Sequence, residues 1–306
     1  MKNARVPAGK RIGYGFTAAA VAGLLSCATV TTIPEAEQPL ALGVEDGRLA
    51  RPGEVPYAVE TGTRRGEFAL PVLYEVYRPA QPRSAALVLL AHGFLRDLSS
   101  MRGWAALWAS HGVTVTVASL PNSTWFNGRH ERNAADLRAL SRALHEGPVL
   151  YAGFSAGGLA ALLAASQDPS AVSYLGLDPV DSGGLAGQAA RAFTRPALIL
   201  LGEPSSCNAR NNILEALAPG ASRPEMSLLR VRHATHCAFE NPTDPRCDRI
   251  CDSVQPAEAA AKILETIRCL ATAWVLSSTG ADPAAGAAPE EAHRGAGAWP
   301  GRVVIP

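Results

Sequence analysis

Lysine is almost missing from this chain: in 306 residues it occurs only at Lys2, Lys10 and Lys262. The first two fall in an N-terminal leader and the third in a segment with helical spacing, so a Schiff-base amine or a phosphate-loop lysine has almost no candidate. A surplus of either charge is missing too, with 28 Lys plus Arg against 27 Asp plus Glu and a formal charge of +1. Without a basic excess to neutralise a phosphate backbone, nucleic acid is argued against as a partner. No self-similarity with a period of roughly 20–50 residues is visible, which argues against a repeat architecture. Nor does the apolar leader reach membrane-spanning length: the uncharged run Ile12 to Ser26 is 15 residues, short of the roughly 20 that a helix needs to cross a bilayer. What remains is 47% apolar and only 18% charged, enough to bury one good-sized core and unlike a disordered or fibrous chain.

Residues 1–26 carry Lys2, Arg5, Lys10 and Arg11 with no acid, followed by that uncharged run. This is the pattern of a signal peptide. It ends in Leu24-Leu25-Ser26-Cys27, which resembles the lipobox of bacterial lipoproteins and implies lipidation of Cys27. The protein is then expected at a bacterial envelope membrane, held by lipid alone; cleavage after Ala28, giving a secreted protein, is the alternative. Removal of the leader's four cations takes the formal charge from +1 to −3, so a basic surface is not what would attach it. Residues 27–52, rich in Pro, Ala and Glu without apolar period, read as a tether. Residues 277–306, dominated by Ala, Gly and Pro, read as a disordered tail. One globular domain is expected over 53–276.

Within that domain short apolar runs alternate with helical patterns. Leu70–Tyr77, Ala86–Ala91, Val113–Ala118, Val149–Gly153, Val172–Leu177, Ala197–Leu201 and Leu228–Val231 read as buried strands. Met101–Ser110, Asn133–Leu144, Gly157–Ala165, Asn212–Leu217 and Ala257 to about Leu276 read as helices. The alternation predicts an α/β fold with a mostly parallel sheet covered by helices on both faces, and chemistry at the carboxyl ends of its strands.

At one such end, Gly153-Phe154-Ser155-Ala156-Gly157 joins an apolar strand to an Ala/Leu-rich helix. A G-x-S-x-G in this context is a nucleophile elbow, because only small residues two positions either side of a strained serine let strand and helix approach. Ser155 is the expected nucleophile. A serine hydroxyl needs a base and an orienting acid, which in this arrangement follow in the order Ser, acid, His. His236 and His233 both follow the last expected strand, and His236 is favoured because it lies deeper in the loop and has more reach. Asp178 directly follows the strand after the elbow helix and precedes Pro179; Glu203 and Asp181 are the alternative acids, with Asp181 also suited to capping a helix. Ala91-His92-Gly93-Phe94 follows an earlier strand, and the amides of Phe94 and Ala156 are the expected oxyanion donors.

The elbow, the His-Gly loop and the triad order resemble the α/β-hydrolase superfamily over about residues 55–275. His92-Gly93-Phe94-Leu95, then Ala109-Ser110-His111-Gly112, then Asp178-Pro179-Val180-Asp181 resemble the chlorophyllase branch, related to cutinase-like polyester hydrolases. Gly176-Leu177-Asp178-Pro179 is similar to the acid loop of pancreatic-type lipases, and His236-Cys237-Ala238 to the histidine loop of the polyester hydrolases. Ala156 stands where chlorophyllases usually carry Arg, so the resemblance implies ester hydrolysis and not chlorophyll in particular. The expected activity is cleavage of small or lipid-like carboxylic esters through an acyl-enzyme, by a monomer without cofactor or metal. An acyltransferase with the same triad and a non-catalytic binding lipoprotein of this fold are the rivals. The aromatics of Pro121–Asn127 are expected either to line an acyl or aryl pocket or to anchor their own loop.

Setting Cys27 aside, Cys207, Cys237, Cys247, Cys251 and Cys269 remain. In an exported protein two bridges are expected among the first four, with Cys269 a buried thiol in the last helix. The pairing stays open, as does a metal site from His233, His236, Cys237, Cys247 and Cys251, whose spacing matches no usual zinc pattern.

Overall fold

The computed structural model describes residues 47–218, 226–244, 246–251, 256–286 and 302–304. The signal peptide, Cys27 and most of the expected tether lie outside the described residues.

In chain order the strands are β1 (Tyr57–Arg65), β2 (Pro71–Pro79), β3 (Leu87–Ala91), β4 (Thr114–Ala118), β5 (Val149–Phe154), β6 (Ala171–Leu177), β7 (Ala197–Leu201), β8 (Met226–Val231) and β9 (Arg302–Val304). The helices are α1 (Arg102–Ser110), α2 (His130–Leu144), α3 (Ser155–Gln167), α4 (Leu185–Ala192), α5 (Ile213–Leu217), α6 (Cys247–Ile250) and α7 (Ala260–Thr279). The strands form one nine-stranded sheet in the order β1-β2-β4-β3-β5-β6-β7-β8-β9, antiparallel at β1–β2 and β2–β4 and parallel from there on.

Alternation along each central strand explains the layers. Val88, Leu90, Leu150, Ala152, Phe154, Leu198 and Leu200 face a core shared with Trp104 and Trp108 of α1 and Ile263, Ile267 and Leu270 of α7. Leu89, Ala91, Val149, Tyr151, Ala197, Ile199 and Leu201 face the opposite core, with Leu137 and Leu140 of α2 and Leu159, Leu162 and Leu163 of α3. Strands buried on both faces need apolar residues at successive positions, which is why β3, β5 and β7 are buried throughout.

The domain margins differ from the sequence expectation. Gly47–Ala50 form a short 3-10 helix whose Leu49 packs on the core, and the Gly53 amide donates to Ser110 Oγ at 2.8 Å, so the tether's last residues belong to the fold. At the other end, the expected tail supplies the last turn of α7 and the parallel pairing of β9 on β8. Ser84 Oγ donates to the Thr279 carbonyl at 2.6 Å and fixes that turn.

Chain direction locates the site. From β3 the chain runs through α1 to β4 on one side, while β5 lies on β3's other side. The order reverses between β3 and β5, and crevices outside the carboxyl ends of parallel strands open at such a switch point.

Candidate active site

The turn from β5 into α3 crosses that switch point. Ser155 sits there at φ +53°, in the left-handed region, directly after Phe154 in extended backbone. A residue with a Cβ costs about 1–2 kcal/mol in this conformation, so the surrounding contacts must hold it. Two glycines make the turn possible. A Cβ on Gly153 would stand 2.4 Å from the Gly157 carbonyl oxygen, and one on Gly157 would stand 2.1 Å from that of His92.

Ser155 Oγ lies 3.1 Å from His236 Nε2, and His236 Nδ1 lies 2.6 Å from Asp178 Oδ2. The carboxylate accepts, so Nδ1 carries the ring proton and Nε2 accepts from the serine hydroxyl. All three side chains are buried. The structure thus brings together the three residues favoured from sequence for this chain of bonds.

Asp178 leaves β6 at φ +44°, its amide bonded to the Leu200 carbonyl at 2.8 Å. Its Oδ1 accepts from the Gly202 amide at 2.9 Å, and its Oδ2 also accepts from Asn208 Nδ2 at 3.0 Å. These donors fix which oxygen meets the imidazole. Asn208 is fully buried; its Nδ2 also donates to the Glu203 carbonyl at 2.8 Å, and its Oδ1 accepts from the amides of Ser205 and Asn211. Sequence reasoning missed this residue, whose only signal was its place beside Cys207.

The alternatives lie elsewhere. Glu203 Oε1 accepts from the His233 amide at 2.8 Å, and the His233 side chain is exposed. Asp181 accepts from the amides of Gly184 and Ala186 at 2.8 Å each, capping α4.

His236 opens a 3-10 helix, His236–Phe239, held at both ends. Phe239 is fully buried in the core with Trp104 Nε1 donating to its carbonyl at 2.9 Å. Cys237 is bridged to Cys247, and Cys207 to Cys251, so the loops that carry His236 and Asn208 are cross-linked through one cluster. Buried Cys269 lies outside both bridges. The sulfurs of Cys237, Cys247 and Cys251 lie within 4.8 Å of one another, but all are bonded in disulfides, and both ring nitrogens of His236 are engaged. The five-residue metal set is therefore not assembled.

The loop after β3 faces Ser155: a Cβ on Gly93 would stand 3.3 Å from Ser155 Cβ. Phe94 begins a tight turn in which the Arg96 amide donates to the Gly93 carbonyl at 3.3 Å and Leu95 takes φ +56°. Ala156 lies in the first turn of α3, where amides have no intrahelical partner and the helix dipole is positive. His92 fixes this loop. Its Nε2 accepts from the Leu120 amide at 3.2 Å and its Nδ1 donates to the Gly93 carbonyl at 2.8 Å, a neutral tautomer that burial favours by lowering the pKa. Arg96 pairs with the buried Glu240, tying the turn after β3 to the end of the histidine loop, a link invisible in sequence.

Ser155 Oγ can thus pass its proton to a base already oriented by a buried acid, beside two backbone segments able to supply amide donors. No protein-family model matches the chain, and no curated protein matches it.

Proposed function

We propose that this chain is a serine hydrolase of the α/β-hydrolase fold that cleaves carboxylic esters. The observation that carries this reading is the bonded series Ser155–His236–Asp178 at the switch point. His236 Nε2 takes the Ser155 proton as Oγ attacks the ester carbonyl, and Asp178 stabilises the imidazolium. The oxyanion accepts from the amides of Phe94 and Ala156. Collapse breaks the ester bond, His236 returns the proton to the alcohol, and water then enters by the same base to release the acid and regenerate Ser155. Every group required lies in this one chain. A binding protein of this fold would have no use for a strained serine aligned on a buried base.

The two disulfides suit an oxidising compartment, which agrees with export by the leader of residues 1–26; retention by lipid on Cys27 belongs to the proposal on the sequence pattern alone. No helix among the described residues is long and apolar enough to cross a membrane.

A chain-length series of nitrophenyl esters tests the reading. Ser155→Ala abolishes turnover while circular dichroism and thermal midpoint stay close to wild type; retained turnover would refute the assignment. Added alcohol sorts hydrolysis from acyl transfer by the product ratio.

A further inference from the structure

The two disulfides are packed against each other. Cys251 Sγ lies 3.5 Å from Cys237 Sγ and 3.7 Å from Cys247 Sγ, so one sulfur of the Cys207–Cys251 bridge touches both sulfurs of the Cys237–Cys247 bridge. Atoms at such separations are in van der Waals contact.

The four sulfurs differ in their access to solvent. Cys237 is 0% exposed and Cys247 and Cys251 are 2% exposed each, whereas Cys207 is only partly buried. A thiolate arriving from solvent therefore meets Cys207 Sγ before the others. The segment around it, Pro204 to Asn212, has Arg210 as its one charged residue and so sets no carboxylate against an incoming anion.

Thiol–disulfide exchange at that atom has a defined outcome. The thiolate bonds to Cys207 Sγ, the Cys207–Cys251 bond breaks, and its electron pair leaves on Cys251 Sγ. The new thiolate is created in contact with an intact bridge. Attack on Cys237 forms Cys237–Cys251 and releases Cys247; attack on Cys247 forms Cys247–Cys251 and releases Cys237. Two disulfides become one mixed and one internal disulfide, and the released sulfur takes up the proton that the incoming thiol lost. The second attack is intramolecular, so it outruns the entry of another thiol to a buried bridge.

The chain beside Cys207 is set to move when this tie is cut. Ala209, Arg210 and Asn211 have φ +48°, +57° and +58°, three consecutive residues with a Cβ in the left-handed region. Such a turn is strained and must be held from outside. The bridge at Cys207 does so covalently, and Asn208 does so through its bonds to Asp178 and the Glu203 carbonyl. Without the bridge, the strained turn pulls on the hydrogen bonds of Asn208 alone.

We infer that Cys207 is a modification site for low-molecular-weight thiols, and that the sulfur cluster relays an attack there inward to the bridge beside His236. Modification lowers turnover by loosening Asn208 and the histidine loop together. That consequence rests on the hydrolase reading above, whereas the relay does not.

The test incubates the folded full-length chain with reduced glutathione for increasing times and quenches it in acid denaturant with N-ethylmaleimide, which traps free thiols. Arg210, Arg232, Arg246 and Arg249 let trypsin place the four cysteines on separate peptides for mapping without reduction. Peptides holding Cys27 and Cys269 are read separately. The expected first product carries glutathione on Cys207, a link from Cys251 to Cys237 or Cys247, and maleimide on the sulfur left over. In Cys207→Ser/Cys251→Ser the remaining bridge opens about tenfold more slowly than in wild type, because it is reached only from solvent. Should that variant not fold, the wild-type map decides alone. Turnover of nitrophenyl butyrate by the modified fraction falls about tenfold, the loss expected when Asn208 no longer holds Asp178. No glutathione on Cys207, its first appearance on another cysteine, or an adduct at Cys207 with Cys237–Cys247 intact and maleimide on Cys251 overturns the relay. A modified fraction that turns over like the unmodified chain overturns the regulation. Absence of turnover by the unmodified chain overturns the hydrolase reading instead and leaves the map unaffected.

Discussion

The elbow after β5 and the histidine loop after β8 deliver their residues to the same hydrogen bond by different physics. Ser155 is positioned locally: its own positive φ, Gly153 and Gly157 at near-contact distance, and a helix starting at once leave it one place to be. His236 is positioned from a distance, by Phe239 in the core, by the Cys237–Cys247 bridge, and by Asp178, itself held by Gly202 and Asn208. A serine placed by steric necessity survives local loosening, whereas a histidine placed through cross-links depends on all of them. The two halves of the site should therefore fail under different insults.

The sharpest break is at the acid. Asp178→Asn lowers kcat by about 10⁴, because the amide cannot hold the required tautomer or balance the imidazolium. Glu203→Gln costs little, since that carboxylate only accepts from the His233 amide, and Asn208→Ala costs an intermediate amount, about tenfold, by removing one donor from Asp178. A ranking with Glu203 above Asp178 would move the acid to the loop after β7.

Next in size is the effect of the bridges. Reduction lowers turnover by up to about a hundredfold at temperatures where the sheet stays folded, because a shift of about 1 Å at the base is enough. Hydrogen exchange should rise in residues 236–251 and stay slow at Ser155–Leu163. Full activity after reduction, checked by thiol titration, would show that core packing alone holds His236.

The same contrast decides what could be read from sequence. Buried parallel strands appear as apolar runs, so β3 to β8 fall within a few residues of the expected segments, and antiparallel β2 is found by the apolar residues of its half-buried length. β1 was missed because Tyr57–Arg65 is exposed along almost its whole length and shows no apolar run. α4 was missed because it is only eight residues long and its buried face is Ala186, Gly187, Ala189 and Ala190, with no large apolar side chain to mark it. The elbow was legible because its steric demands fall within five consecutive residues. Asn208, 30 positions from Asp178, and the Arg96–Glu240 pair, 144 apart, leave no local trace. For the same reason the disulfide partners stayed open, and the tail's composition hid the last turn of α7 and β9.

Smaller effects separate the loops by pH and by strain. Burial holds His92 and His130 below their ordinary pKa, with the unfolded chain protonating near pH 6.5. Below that pH the unfolded state binds more protons, so stability falls as pH drops. Glu75, held low by its bonds to Arg102, and Asp97, by those to Ser99, act only at lower pH. The thermal midpoint should therefore fall between about pH 7 and pH 5.5, and His92→Gln should flatten part of that fall; a flat wild-type profile would contradict a neutral His92. Smallest of all, Ser155→Gly raises stability by about 0.5–1 kcal/mol relative to Ser155→Ala, the relief of positive φ exceeding glycine's entropic cost. Equal denaturant midpoints for the two would mean that the turn stores no strain.

The central claim is that Ser155 Oγ is activated by His236, and labelling with a fluorophosphonate followed by peptide mapping reads it directly. The account predicts one adduct per wild-type chain, on Ser155, none on Ser155→Ala, and labelling slowed by about 10³ or more in His236→Ala. An adduct on another serine, or labelling of Ser155 at an unchanged rate without His236, would contradict it.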